Sequence, residues 1–139
     1  MHMNSSRFEN PDFWSTSSIV RLHKLGFTTA FFGKVLNTMD SYGCDGTSGL
    51  PPGLDAQFTM CTHTFFDCDW VNSSLPMGQQ LVHTGNTSTP GCENGECYTT
   101  SVMGNASVDW IRSVIADPSH PPFYAWIGPH APHLPVRTG

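Results

Sequence analysis

The sequence predicts an α/β fold in which helices pack against a sheet containing parallel strands. Residues 27–32 and 123–127 are short runs rich in aromatic and aliphatic side chains, which is typical of strands buried on both faces of a sheet. Helical patterns of apolar residues precede both runs. Two strands joined by a long connection that contains a helix form the skeleton of a right-handed parallel crossover.

The first helix and strand form a unit that we place at residues 13–36. Residues 1–12 lack periodicity and are predicted to be a loop. Ile19, Leu22 and Leu25 then recur at three-residue steps, and Gly26 follows them. This pattern predicts an amphipathic helix from about residue 15 with a glycine stop, followed by the strand at 27–32.

The middle of the chain, residues 37–97, is predicted to be a loop-rich insertion. It is rich in Gly, Pro, Ser, Thr and Asn and shows no sustained period. A connection of this length indicates either a functional loop or elements that the pattern does not reveal.

A second helix–strand unit spans residues 98–135, with the helix at about 100–116. One face of this helix is apolar and the other polar. The apolar positions are Met103, Ala106, Trp110, Ile111 and Val114, and the polar ones are Ser101, Asn105, Asp109 and Arg112. Asp117 and Pro118 end the helix, and the strand at 123–127 follows.

Composition limits the classes of function. A chain of 139 residues is long enough for one ordinary domain with a modest core. Its net charge of -5, with only 12% charged residues, argues against a nucleic-acid partner. No run of about 18 apolar residues is present, so we expect no membrane span.

Five cysteines and four Asn-x-Ser/Thr sequons, at Asn4, Asn72, Asn86 and Asn105, favour an oxidising compartment and glycosylation. Cys61 with Cys68, and Cys92 with Cys97, are possible short loops, but connectivity stays open and one cysteine is left over. No paired zinc frame is present, so the nearby His63 and His83 are interpreted as solvated loop histidines.

Two motifs carry the strongest functional signal. Residues 26–34 read Gly-Phe-Thr-Thr-Ala-Phe-Phe-Gly-Lys and are followed by Val-Leu-Asn, and residues 129–135 read Pro-His-Ala-Pro-His-Leu-Pro after the second strand. In order and spacing they resemble the Gly-(Phe/Tyr)-x-Thr-x-x-x-Gly-Lys and Ala-Pro-His-x-Pro signatures of the type I sulfatases, in the alkaline-phosphatase-like superfamily. Leu36-Asn37 is most similar to the N-acetylglucosamine-6-sulfatase-like branch.

The resemblance implies a partial three-layer α/β/α sulfatase domain. On this hypothesis residues 1–139 are an internal fragment of a sulfatase catalytic domain, of a protein in the secretory pathway, lysosomal or extracellular. Residues 1–6 do not have the pattern of a signal peptide, so a secretory signal is expected upstream of this fragment.

The same resemblance assigns the site residues. Lys34 is expected to hold the sulfate, because a fixed ammonium stabilises negative charge that develops during ester cleavage. His133 is expected to face the leaving group, where imidazole donates a hydrogen bond or a proton. His130 and Asn37 are further substrate-binding candidates, although Asn37 is equally suited to cap a turn. The alternative for residues 129–135 is a Pro-x-x-Pro ligand or a rigid polyproline II loop with solvated histidines.

Sulfatases also use formylglycine and calcium, which we expect in the full-length enzyme. The Cys-x-Pro-x-Arg motif that becomes formylglycine is absent here, and no calcium ligands are recognisable. The aspartates 40, 45, 55, 67 and 69 are too dispersed for an oxygen cage, so we assign no metal ligand and predict that the fragment alone is inactive. By resemblance, Asp67, Asp69 and Trp70 fall in an aromatic hairpin that lines the sugar cleft.

The predicted function is therefore that of a sulfuric ester hydrolase fragment acting on sulfated sugars or glycans. In the intact enzyme a formylglycine hydrate would attack sulfur, with calcium orienting the ester. Two alternatives remain open: a phosphodiesterase or phosphatase of the same superfamily, and a non-catalytic, disulfide-stapled secreted glycoprotein that acts as a binding module.

Overall fold

The computed structural model describes residues 11–34, 44, 50–62, 64–74, 78–119 and 121–132. In this part of the chain the protein is a mixed α/β structure with one five-stranded sheet. The elements in chain order are α1 (Pro11–Ser15), α2 (Ser18–Lys24), β1 (Thr28–Gly33), β2 (Ala56–Met60), β3 (Cys68–Ser74), β4 (Gly78–Thr84), α3 (Thr99–Ala116) and β5 (Phe123–Gly128).

The sheet combines parallel and antiparallel pairing in the order β4-β3-β2-β1-β5. Strand β1 pairs in parallel with β2 on one side and with β5 on the other. Strands β2, β3 and β4 then form antiparallel pairs. The predicted parallel relation between the first and last apolar strands is confirmed, over six register pairs from Thr28 with Phe123 to Gly33 with Gly128.

Residues 11–24 form two short helices where the sequence predicts one. Ser17 caps α2, because its hydroxyl accepts a hydrogen bond from the Val20 amide at 3.3 Å. Ile19 and Val20 on α2 are buried, whereas Leu25 lies beyond the helix end and is 74% exposed. Helix α1 begins at Pro11, inside the predicted loop 1–12, at a position where proline costs the helix no hydrogen bond.

The region 37–97 is predicted to be loop-rich, but the residues described there include the three strands β2, β3 and β4. The sequence pattern misses these strands for a physical reason. Strand β2 is buried at every position although it includes Gln57 and Thr59, so its burial on both faces hides the alternation that would identify a strand. Its stability comes from pairing with β1 and β3, which a local pattern does not reveal.

Helix α3 agrees with the prediction to within one residue at its start. Met103 and Val114 are buried, and Ala106, Trp110 and Ile111 are half-buried. The predicted polar face is exposed throughout, at Ser101, Asn105, Asp109 and Arg112. The helix therefore packs on the sheet by the face that its period indicates.

Apolar clusters lie on both faces of the sheet. Phe32, Phe58, Trp70 and Met103 belong to the cluster beneath α3. The opposite cluster packs α1 and α2 against the sheet through Trp14, Ile19, Val20, Phe31 and Leu54. Successive side chains of a strand point to opposite faces, so Phe31 and Phe32 bury β1 on both sides, as predicted.

Two disulfides connect Cys44 with Cys61 and Cys92 with Cys97. Of the two open sequence possibilities, the pair 92–97 forms and the pair 61–68 does not. Cys68 is a buried free thiol, and burial raises its pKa. Disulfides of this number are typical of proteins that fold in the secretory pathway.

None of the helices in the described ranges has the length and apolar character needed to cross a bilayer.

Candidate functional site

The candidate site lies at the edge of the sheet where the parallel strands end. Open α/β sheets bind ligands at this carboxyl edge. Lys34 follows β1 there, Gly128 closes β5, and Cys61 follows β2. The antiparallel strand β3 begins at the same edge, since the Cys61 amide donates to the Asp69 carbonyl oxygen at 2.7 Å. We call this region the carboxyl edge.

A tight junction joins the ends of β1 and β5. The Lys34 amide donates to the Gly128 carbonyl oxygen at 2.7 Å. Gly33 has a φ of 80°, and a Cβ placed on it would overlap the Gly128 carbonyl and lie 2.7 Å from the Met103 sulfur. A Cβ on Gly128 would in turn overlap the Lys34 carbonyl oxygen. Only glycine fits this contact, and the contact fixes the backbone that carries Lys34.

His130 lies two residues beyond that junction and is 8% exposed. Its ring packs on Phe65, with centroids 4.8 Å apart, and Phe65 stacks on Tyr98 at 6.2 Å. The Phe65 carbonyl oxygen accepts a hydrogen bond from the Thr99 amide at 2.9 Å, which ties the β2–β3 loop to the start of α3. His130 is thus held among aromatic rings rather than in solvent.

The structure brings the segments of Lys34 and His130 together at adjacent strand ends. Lys34 belongs to the first sequence motif and His130 to the second. Lys34 itself is half-exposed. Asn37 and His133 lie outside the described residues. The predicted polyproline II conformation does not continue through the second motif, because residues 131–132 form a turn.

A second polar cluster at the same edge contains Asp67, Asp69 and His83. The Nδ1 atom of His83 lies 2.7 Å from Asp69 Oδ1, and its Nε2 atom lies 3.3 Å from Asp67 Oδ1. All three side chains are more than half exposed. The interpretation of His83 as a merely solvated loop histidine is wrong, since His83 belongs to β4 and bridges two carboxylates. Asp69 and His83 face each other in the β3–β4 register.

The hydrogen bond from Asp69 raises the pKa of His83 above its ordinary value of 6.5, and the charges of Asp69 and Asp67 act in the same direction. A raised folded-state pKa means that this bridge contributes to stability below pH 6.5 and is lost as the pH rises through the folded-state pKa. Its exposure limits the size of that contribution.

We therefore expect the His83 ring to titrate at a higher pH in the wild-type protein than in the Asp69→Asn variant, which keeps the shape of the side chain and loses its charge. NMR titration of the His83 Cε1 proton measures both midpoints. Equal midpoints in the two proteins would show that the carboxylate does not hold the proton on His83.

Of the other aspartates considered for an oxygen cage, the structure describes Asp55, which does not lie at the carboxyl edge. Asp55 lies at the opposite edge, where its Oδ2 accepts a hydrogen bond from the Thr29 amide at 2.8 Å and lies 3.3 Å from His23 Nδ1. Asp55 is predicted to be a solvated loop residue, but in the structure it has a structural role, because it joins α2, β1 and the start of β2. Residues 40 and 45 lie outside the described part of the chain.

Within the described ranges no group of three or more His, Cys, Asp or Glu side chains is arranged to hold a metal ion. Trp70, expected from the resemblance to line a sugar cleft, is instead fully buried in β3. Its ring stacks on Phe58 at 4.7 Å, and its indole nitrogen donates to Thr84 Oγ1 at 3.0 Å. Trp70 is thus a core residue.

The predicted glycosylation sites differ in accessibility. Asn105 is exposed on α3, and Asn86 is exposed after β4, where its side-chain oxygen accepts a hydrogen bond from the Ser88 amide at 2.9 Å. Asn72 is half-buried within β3. Asn4 lies outside the described residues. Among the sequons that the structure describes, Asn105 and Asn86 therefore offer more open positions for a glycan than Asn72.

No model of a known protein family matches the chain, and no curated protein matches it. Function is therefore inferred from the geometry at the carboxyl edge and from the two motifs that resemble sulfatase signatures.

Proposed function

We propose that this chain is part of the catalytic domain of a sulfuric ester hydrolase of the type I sulfatase family, in the N-acetylglucosamine-6-sulfatase-like branch. The observation that supports this best is the junction of Gly33-Lys34 with Gly128. Two motifs almost a hundred residues apart in sequence, each similar to a sulfatase signature, meet where adjacent parallel strands end: the first motif ends after β1 beside the residue that precedes the second motif after β5.

Lys34 supplies the electrostatic part of the chemistry. A sulfate ester carries a negative charge, and its cleavage shifts charge onto the leaving oxygen, so an ammonium group at a strand end stabilises the transition state. The chain has a net charge of -5, which repels anions at long range. Anion binding must therefore come from a local cation, and Lys34 is the lysine at the carboxyl edge, whereas Lys24 ends α2.

The two histidines of the second motif have different roles. His133 is the residue that we assign to the ester oxygen, where imidazole donates a hydrogen bond or shuttles a proton. His130 packs on Phe65, so we assign it to positioning the segment that carries His133. Asn37, beyond Lys34, is a further donor to substrate.

Formylglycine would supply the nucleophile in a complete sulfatase site, and calcium would orient the sulfate. The residues of this chain do not fit either group: the Cys-x-Pro-x-Arg motif is absent from the sequence, and the described carboxylates form no cation cage. We therefore assign to this chain anion binding by Lys34 and leaving-group contacts by His133, and derive no step through the nucleophile or the metal.

Two structural features are compatible with this assignment. Helices pack on both faces of the sheet, as a three-layer sulfatase domain requires, and the two disulfides suit an enzyme of the lysosome or the extracellular space. The substrate class that we propose, a sulfated sugar or glycan, follows from the resemblance of the Leu36-Asn37 ending.

The direct test is binding of a sulfated monosaccharide to the 139-residue chain, measured by isothermal titration calorimetry. Replacing Lys34 with alanine removes a charge-assisted contact, and we expect binding to weaken about tenfold or more, because such contacts contribute about 1.5–3 kcal/mol. Lys24→Ala is the matched control, since Lys24 is an exposed lysine on α2, and it should leave the affinity unchanged.

Three outcomes would overturn the proposal. The wild-type chain does not bind the sulfated sugar; both lysine variants weaken binding equally; or a phosphate monoester binds more tightly than its sulfate counterpart. The last result would favour the phosphatase or phosphodiesterase alternative. The unsulfated sugar serves as the blank, because binding that does not depend on the sulfate group cannot be assigned to Lys34.

A further inference from the structure

Helix α3 begins at the carboxyl edge, because it runs antiparallel to β1 and β5. In its first half, the Met103 sulfur lies 2.7 Å from the position of a Cβ on Gly33, the last residue of β1. Further along the helix, Trp110 packs on Phe123, the first residue of β5, with ring centroids 5.9 Å apart. Thr99, the first residue of α3, lies about one turn before Met103. The first turn of α3 is therefore at the edge where β1 and β5 end.

The start of α3 has backbone donors without acceptors. The Thr99 amide donates to the Phe65 carbonyl oxygen at 2.9 Å, but the Thr100 and Ser101 amides have no hydrogen-bond partner among the described residues. Tyr98, at the N-cap position, makes no side-chain cap, and the first turn holds no acidic residue. The first N–H groups of a helix have no partner inside the helix and form the positive end of its dipole. This end of α3 is thus suited to a negatively charged group.

Two buried hydroxyl groups lie at the same turn. Thr99 is 1% exposed, and its Oγ1 atom has no hydrogen-bond partner within the part of the chain that the structure describes. The Oγ1 atom of Thr100 is likewise buried and unpartnered there. A buried polar group without a hydrogen bond costs free energy, so native proteins seldom contain one. The Cα–Cβ bonds of a helix tilt toward its N-terminus, which places both hydroxyls on the side of the uncapped amides.

We infer that the first turn of α3 binds a tetrahedral oxyanion through the amides of Thr100 and Ser101 and the hydroxyls of Thr99 and Thr100. Helix N-termini bind such anions because their amides point at the ligand and the dipole favours negative charge. A single anion accepts hydrogen bonds from the amides and the hydroxyls together. The inference rests on the proposed function, under which this anion is the sulfate group of the substrate.

The start of α3 is connected to both sequence motifs. Met103 packs at the junction of β1 with β5, which fixes the backbone of Lys34. Phe65 accepts the hydrogen bond from the Thr99 amide and also packs on the His130 ring. The helix start and Lys34 then act on one sulfate group, the helix through its dipole and the lysine through a full charge. Both oppose the net charge of -5 on the chain.

Titration of the isotope-labelled 139-residue chain with sodium sulfate, followed by two-dimensional NMR, tests the inference. We expect the amide resonances of Thr100 and Ser101 to shift together and to saturate, because both amides donate to the same anion. Sodium chloride at equal ionic strength is the blank. A carboxylate from another part of the protein that already occupies these amides would prevent the shift. An unshifted pair of amides would therefore overturn the inference.

Thr99→Val tests the hydroxyl contact. Valine has nearly the shape of threonine but no hydroxyl, so the affinity for sulfate should fall about tenfold, as expected when a hydrogen bond to a charged group is lost. Thr87→Val is the matched control, since Thr87 is exposed after β4, and it should bind sulfate as the wild type does. Circular dichroism verifies that both variants fold. Equal affinity of Thr99→Val and the wild type would contradict the inference.

Lys34→Ala separates this inference from the proposed function. The variant retains the donors of α3, so sulfate should still shift the Thr100 and Ser101 amides, at higher concentrations than in the wild type. If the sulfated monosaccharide binds through Lys34 while both amides stay unshifted, the helix site is wrong and the proposed function stands. If sulfate shifts both amides but binding of the sulfated monosaccharide is insensitive to Lys34→Ala, the helix site stands and the proposed function is wrong.

Discussion

Replacing Gly33 with alanine is expected to destabilise the protein more than any other single methyl addition at the candidate site. The backbone of Gly33 has a φ of 80°, which costs an L-residue about 1–2 kcal/mol. The added Cβ would also overlap the Gly128 carbonyl oxygen and the Met103 side chain. Together these effects should lower the free energy of unfolding by about 3 kcal/mol or more, as measured by urea denaturation followed by circular dichroism.

Gly26→Ala is the control for the energetic cost of the positive φ angle alone. Gly26 has a φ of 86°, similar to that of Gly33, but no atom lies within 4 Å of the position of its Cβ. Alanine at residue 26 should therefore cost only about 1–2 kcal/mol. If the two variants lose the same stability, the close approach of β1 and β5 is not what requires glycine at residue 33.

Trp70→Ala should produce the second large effect, a loss of about 3–5 kcal/mol in the free energy of unfolding. Trp70 is fully buried, its ring stacks on Phe58, and its indole nitrogen donates to Thr84. Truncation leaves a cavity in the apolar cluster that Trp70 shares with Phe58 and Met103, and it removes a side-chain hydrogen bond between β3 and β4. Urea denaturation measures the loss.

Trp70→Phe separates these contributions. Phenylalanine retains an aromatic ring against Phe58 but has no donor for Thr84, so this variant should lose substantially less stability than Trp70→Ala. A full cleft-lining role, as the resemblance suggests for this residue, would instead leave stability nearly unchanged in both variants. That outcome would contradict the position of Trp70 in the core.

Three elements were predictable from sequence because their signal is local. Strands β1 and β5 are apolar runs, and α3 shows a clear helical period with Met103 and Val114 on its buried face. The strands β2, β3 and β4 were not predictable. Gln57 and Ser73 are buried within them, so polar residues occupy interior positions, and only pairing between distant segments accounts for their burial.

The candidate site was predictable to a similar degree. Parallel strands end at the same sheet edge, and this rule alone places Lys34 beside the segment of His130. The cluster of Asp67, Asp69 and His83 was not predictable, because the register of the β3–β4 hairpin brings Asp69 and His83 together. The left-handed φ of Asp67, 58°, leaves no trace in the pattern of apolar residues.

The hydrogen bond between the Lys34 amide and the Gly128 carbonyl has a consequence for ligand affinity. It immobilises the main chain at Lys34 in the folded protein, before any anion arrives. If Lys34 holds the anion as we propose, binding then restricts the rotamers of a lysine side chain on a main chain that is already fixed, an entropic cost of about 1.5–2 kcal/mol. Such preorganisation leaves more of the electrostatic attraction available as net affinity.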